Sequence, residues 1–323
     1  MRALLCETFG PPENLVIREL PDPKPGHGEV VVRVNSAPLN FFDTLIIENR
    51  YQFKPEPPFS PGGEIAGRIA AIGSGVTGFS PGDRVAAYVG WGGCRTHVVV
   101  PAEKLVHVPE GLSDDAAASL LVTYGTSFHA LKDRAAMKPG ETLAVLGASG
   151  GVGLAAVELG ALMGARVIAC ASSAAKLELA RSHGAADLID YVREDLKTAL
   201  KRLAPEGVDV VYDPVGGDLS EPALRALGWK GRFLVVGFAG GGIPRMPLNL
   251  LLLKGCDMLG VFWGAFTEKE PDAHRGNVER IFGWALEGKL RVHIGATTDL
   301  EGAAAAIRAI AERKAEGKIV VRP

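Results

Sequence analysis

The sequence predicts an α/β chain of two domains: a strand-rich barrel or sandwich, followed by a doubly wound parallel sheet. Three observations predict it. Residues 1–110 carry short β-type runs between Pro/Gly clusters, residues from about 113 onward alternate apolar strands with helical segments, and a Gly-rich turn opens the first such helix. A length of 323 residues fits two domains of ordinary size.

In the first region, residues 2–8, 15–20, 29–37, 64–72, 84–88 and 97–100 read as strands. The clusters at 21–26, 57–63 and 80–83 punctuate them, because Pro cannot donate to a ladder and Gly admits positive φ. Residues 40–49 form the one helical candidate there. Residues 114–133 read as a helix, and strand–helix pairs follow at 142–146/152–163, 166–171/174–183, 187–190/194–203 and 208–212/219–227. Strands at 232–236 and 258–263 complete a set of about six. Their apolar runs are continuous, as expected when helices cover both faces. In the tail, helices are predicted at 277–287 and 302–315 and strands at 290–296 and 318–321. The nucleotide-type sheet is full by then, so the tail is expected to rejoin the N-terminal domain. The predicted domains are 1–120 with 270–323, and 121–269.

Composition narrows the classes. With 47% hydrophobic residues and a net charge of −2 the chain is not disordered. Cys6, Cys94, Cys170 and Cys256 lie far apart, so no C-x-x-C pair exists and four reduced thiols of a cytoplasmic protein are expected. The N-terminus lacks an apolar signal core, and the apolar stretch 248–266 is broken by Lys254 and Asp257, so no membrane association is expected. The balance of 35 basic and 37 acidic residues gives no steering toward nucleic acid.

The turn Gly147-Ala148-Ser149-Gly150-Gly151-Val152-Gly153 lies between a strand and an apolar helix, the context a dinucleotide fingerprint requires. In the G-x-G-x-x-G frame the first Gly is Ala148. Gly150 would admit the pyrophosphate and Gly153 would let the helix pack on its strand, with Ser149, Gly150, Gly151 and Val152 holding phosphate at the helix start. The next strand ends in Ser172-Ser173 with Lys176 beyond, and no carboxylate stands where an NAD site places one for the ribose 2′-OH. Two hydroxyls and an ammonium suit a 2′-phosphate, so NADPH is the expected cofactor.

Over essentially its whole length the sequence resembles the zinc-independent medium-chain dehydrogenase/reductases, specifically the NADPH:quinone oxidoreductases that include zeta-crystallin. The resemblance rests on Asn40-Phe41-Phe42-Asp43, Pro61-Gly62-Gly63-Glu64-Ile65-Ala66-Gly67, Gly75-Val76, Gly82-Asp83-Arg84-Val85, the glycine turn, Asp213-Pro214-Val215-Gly216-Gly217 and Gly317-Lys318-Ile319-Val320. It implies a GroES-like β-barrel domain plus a Rossmann domain. Zinc-dependent relatives carry a Cys near position 40 and Gly-His-Glu where this chain has Gly62-Gly63-Glu64, so no metal is expected. The resemblance also implies roles near the cofactor for Thr126, Tyr191, Phe238-Ala239-Gly240, Val261-Phe262-Trp263, Asn40 and Lys318. The 261–263 strand edge is further implied to pair two subunits into a homodimer.

Without zinc ligands in the sequence, the protein would have to position an acceptor and stabilise the oxygen that gains charge. Quinones and α,β-unsaturated carbonyls need least help, because delocalisation spreads that charge. Asn40 and Tyr51 are the candidate catalytic donors, with a helix cap and a loop aromatic as their plainer readings. Phe41, Phe42, Phe59 and Trp263 are candidates for an aromatic wall. An enone or enoyl-thioester reductase, and a non-catalytic NADPH-binding protein of crystallin or RNA-binding type, stand as alternatives.

Overall fold

The computed structural model describes residues 1–323, which divide into two compact units, Met1–Val122 with Glu270–Pro323 and Thr123–Lys269. Unit 1 opens with an antiparallel ribbon of β1 (Arg2–Leu5) and β2 (Val16–Glu19). Then come β3 (Glu29–Pro38), helix α1 (Phe41–Ile46), β4 (Glu64–Ile72), β5 (Arg84–Tyr88), β6 (His97–Pro101) and β7 (Val106–His107). Strand β3 is the hub and pairs antiparallel with both β4 and β6. Apolar side chains on alternate positions, such as Val30, Val32 and Val34, enter one core with Ile65, Ile69, Val85, Val98 and Val100. Helix α2 (Asp114–Phe128) follows, and residues His129–Arg134 continue it as a π-helix.

Unit 2 alternates strictly. Its strands are β8 (Thr142–Leu146), β9 (Arg166–Ala171), β10 (Asp187–Asp190), β11 (Val208–Asp213), β12 (Leu227–Val235) and β13 (Asp257–Gly260). Between them lie α3 (Gly151–Leu162), α4 (Ala174–Ser182), α5 (Leu196–Leu203), α6 (Ser220–Ala226) and α7 (Asn249–Lys254), and α8 (Trp263–Lys269) follows. The sheet is all parallel in the order β10-β9-β8-β11-β12-β13, the 3-2-1-4-5-6 pattern of a Rossmann domain. Helix starts follow from their caps: Ser173 and Asp195 each accept a hydrogen bond from the third residue of the helix they open.

The chain then returns to unit 1 as α9 (Pro271–Leu286), β14 (Ile294–Thr298), α10 (Leu300–Ala311) and β15 (Lys318–Val321). Strand β15 pairs parallel with β14 and antiparallel with the end of β3, and α10 inserts Leu300, Ala303, Ala306 and Ile307 into the barrel core. No helix is long and apolar enough to cross a membrane.

Two expectations are corrected. The sixth Rossmann strand ends at Gly260, not at residue 263. Val261 still donates its N–H to the Val235 carbonyl, but Phe262 leaves the ladder and Trp263 starts α8. The Trp263 ring takes the space beside Gly125, where a Cβ would approach it to 2.8 Å, so packing overrides the strand propensity of the run. The region of residues 243–269 also holds α7 and α8, two short helices with no sequence signal strong enough to separate them from an apolar loop.

Candidate functional site

Unit 2 places its nucleotide signals at the point where the strand order reverses, between β8 and β11. The turn after β8 must be glycine-rich for steric reasons. Gly147 has φ +59°, and a Cβ there would meet Val215 at 2.8 Å. A Cβ on Gly153 would stand 2.2 Å from the Gly147 carbonyl oxygen, so only glycine lets α3 close onto β8. Gly150 is the N-cap of α3 and no side chain caps that end, which leaves the first N–H groups of the helix for an anion. Ser149, Gly150, Gly151 and Val152 are all at least partly accessible. The glycine cradle fits a pyrophosphate.

A second polar cluster stands at the end of β9. Lys176 Nζ donates to Ser172 Oγ at 3.2 Å, so the ammonium and hydroxyl singled out in the sequence are brought together. Ser173 turns its own hydroxyl to the Lys176 N–H as the helix cap. Tyr191 lies alongside, its N–H on the Ala171 carbonyl at 3.2 Å. On the other side of the switch point, Asp213 organises the loop after β11, accepting from Val215 N, Gly216 N and Ser220 Oγ. The Phe238-Ala239-Gly240 loop is strapped to it through Ala239 N to Pro214 O and Gly240 N to Val215 O. Thr126 is buried on α2, next to Gly125 and hence near the Trp263 ring. Trp263 is thus core, whereas Phe262 is half exposed.

Unit 1 gathers the polar residues differently. Lys318, on β15, is 7% exposed and Glu64, on β4, is fully buried. The Lys318 ammonium donates to Glu64 Oε1 at 2.6 Å, Asn40 Oδ1 at 2.8 Å and Leu39 O at 3.2 Å. Asn40 Nδ2 donates to the same Glu64 oxygen at 2.9 Å, and Glu64 Oε2 accepts from Val122 N at 2.7 Å. An ammonium can only donate, so this network fixes which face of the Asn40 amide carries oxygen. One Nδ2 proton of Asn40 remains uncommitted by these contacts.

Asn40 is also the N-cap of α1, the plainer of its two readings. Its main-chain N–H goes to Asp43 Oδ2, and Gly62 N donates to Asp43 Oδ1. Burial pushes the Asp43 carboxyl up from near 3.8 to about 7, against the two N–H donors that stabilise its ionised form. Tyr51 packs on Phe42 with ring centroids 5.4 Å apart and on Phe53 at 6.0 Å. Burial and the Asp43 carboxyl raise its phenol to about 12, so it keeps its proton through neutral pH. Of the candidate aromatic wall, only Phe42 joins Tyr51: Phe41 is exposed, Phe59 is buried in the barrel core and Trp263 belongs to unit 2.

Asp43 and Glu64 were visible only as parts of longer motifs and were not singled out as functional. Their signal was a carboxylate three residues after an N-cap candidate and another in a strand otherwise apolar at its start. No three His, Cys, Asp or Glu side chains converge as a metal-ligand set. A zinc ion does not fit these residues: Asn40 and Gly63 offer no anionic or imidazole ligand, and an ammonium already neutralises Glu64.

The comparisons with known proteins agree with this geometry. The family described as alcohol dehydrogenase GroES-like domain matches residues 26–110, and the one described as zinc-binding dehydrogenase matches residues 151–276. A Nematostella vectensis protein named quinone oxidoreductase-like protein 2 homolog is 39% identical, over 99% of this chain and 88% of its own length. A Pseudomonas aeruginosa quinone oxidoreductase is 34% identical over 98% of this chain and 97% of its own. A mycobacterial protein solved in complex with NADPH superposes with a TM-score of 0.93 at 29% identity, covering all of both chains. The two-unit architecture, the glycine turn and full-length similarity at this level lead to one assignment: the chain belongs to the quinone oxidoreductases of the medium-chain dehydrogenase/reductase superfamily.

Proposed function

We propose that the protein binds NADPH and uses it to reduce quinones or related α,β-unsaturated carbonyls without a metal. The observation that carries the cofactor reading is the Lys176–Ser172 pair beside the uncapped start of α3, in a site with no carboxylate at the end of β9. The similar structure holding NADPH supports it. When bound, the reduced nicotinamide supplies a hydride. Ser149, Gly150, Gly151 and Val152 hold the pyrophosphate, Ser172, Lys176 and Tyr191 the adenosine end, and Thr126, Phe238, Ala239, Gly240, Val261 and Phe262 the nicotinamide end. Trp263 supports that end by packing on Gly125.

Asn40 and Tyr51 serve the acceptor. The free N–H of the Asn40 amide is a fixed donor, aimed by Lys318 and Glu64, and the Tyr51 phenol is a protonated one. Lys318 and Glu64 are positioning residues, and Asp43 shares the Asn40 cap and raises the Tyr51 phenol. We further propose a homodimer in the cytoplasm, formed through β13. That strand is the open edge of the six-stranded sheet, and the preceding helix exposes Leu252 and Leu253.

Steady-state oxidation of NADPH against quinones, enones and enoyl thioesters tests this reading. Turnover is expected with quinones or enones, with NADPH preferred over NADH. Equal kcat/KM for both nucleotides overturns the 2′-phosphate assignment. Tight NADPH binding with no turnover on any acceptor overturns the enzymatic one, and preference for thioesters replaces the acceptor class.

A further inference from the structure

Arg95 is the one partly buried arginine of unit 1 whose side chain is left without a visible partner. Its Nε is enclosed and meets no acceptor. Arg84, in the same unit, shows the usual solution: it reaches Asp114 and the Leu112 carbonyl. Arg95 stands at the end of a turn whose backbone is tightly held. Gly92 N donates to Ser60 O, Gly93 N to Gly62 O and Cys94 N to Pro61 O, so the backbone that carries Arg95 is fixed. Burial lowers the Arg95 pKa, and the neighbouring Cys94 thiol is itself pushed well up by burial, so it offers no thiolate as counter-ion.

The guanidinium borders a groove of about 310 Å³ lined also by Val89, Trp91, His97, Val99 and Lys104. Arg95, His97 and Lys104 give its lining three basic side chains and no acidic one. Trp91 is 39% exposed, which leaves much of its indole open to contact. A guanidinium partly withdrawn from water, with its Nε enclosed and no carboxylate among its contacts, is stabilised by an anion that pairs with it.

We propose that this groove binds a small organic anion, whose carboxylate or phosphate pairs with Arg95 while a flat apolar body lies against Trp91. Arg95 is suited to the task because its planar fork can take two oxygens of one anion. The site lies wholly in unit 1 and does not depend on the nucleotide reading.

The test uses the full-length protein without nucleotide, with benzoate and inorganic phosphate as separate probes. Tryptophan fluorescence and thermal unfolding are followed for wild type, Arg95→Met, Arg95→Lys and Trp91→Phe. Benzoate is expected to give a saturable fluorescence change and to raise the wild-type melting temperature. Arg95→Met should lose both responses, Arg95→Lys should weaken binding about tenfold, and Trp91→Phe should lose the fluorescence change but keep thermal protection. Free Arg95→Met should melt no lower than wild type, since it removes an uncompensated charge. No response of wild type to either probe overturns the proposal, as does an Arg95→Met protein that responds like wild type. A free Arg95→Met protein that melts well below wild type also overturns it and makes Arg95 structural. Phosphate protecting as well as benzoate overturns the role of Trp91.

Discussion

Lys318 and Glu64 form a buried ion pair whose two charges satisfy each other only while both are present. Replacing Lys318 by Met leaves a carboxylate with no counter-ion in a site closed to water. A loss of about 3–5 kcal/mol is expected, read as a lower denaturant midpoint, whereas the double variant Lys318→Met/Glu64→Gln should recover part of it. Asp43 carries the opposite kind of signal. Its pKa is higher in the folded protein than in the unfolded chain, so the fold binds more protons between about pH 4 and pH 7. Its contribution to stability is complete below the unfolded pKa and is lost as pH rises toward 7. Urea midpoints across that range should therefore decline with a steeper slope in wild type than in Asp43→Asn. At this scale the sequence was only partly readable. Asn40, Tyr51 and Lys318 stood out by residue type and motif, while Glu64 became meaningful only once β4 and β15, on either side of β3, brought its side chain to the Lys318 ammonium.

At the scale of elements, the glycine turn and the end of β9 carry separable functions. Lys176→Ala should cut the preference for NADPH over NADH by about 10–100-fold, the worth of one charge-assisted contact of about 1.5–3 kcal/mol, with little change in kcat for NADH. Gly153→Ala drives a methyl into the Gly147 carbonyl, so it should weaken both nucleotides alike and lower the melting temperature. Comparing the two variants separates recognition of the 2′-phosphate from integrity of the turn. The strands of unit 2 were legible because each is a continuous apolar run, and 142–146, 166–171 and 187–190 match β8, β9 and β10 residue for residue. The edge was not. The run after Asp257 has strand-like composition through Trp263, but the strand ends at Gly260 and Trp263 opens α8 with its indole beside Gly125.

At the scale of the whole molecule, the proposed association of two chains has its own test. Leu252→Asp and Leu253→Asp place charge on the exposed face of α7, where both side chains now stand in water. Sedimentation should show wild type at twice the chain mass and the double variant at the chain mass, with NADPH binding retained. A wild-type protein that sediments as a single chain would remove the dimer from the account.

The return of the tail to unit 1 also fixes an order of assembly. Every strand of the parallel sheet lies within residues 123–269, so that sheet can finish while the rest of the chain is still being made. The barrel cannot, because the ammonium that neutralises Glu64 arrives 254 residues later. At roughly 5–20 residues per second, a ribosome needs on the order of 13–50 s to cover that distance. Until then the carboxylate must stay hydrated, and the start of β4 must stay open to water.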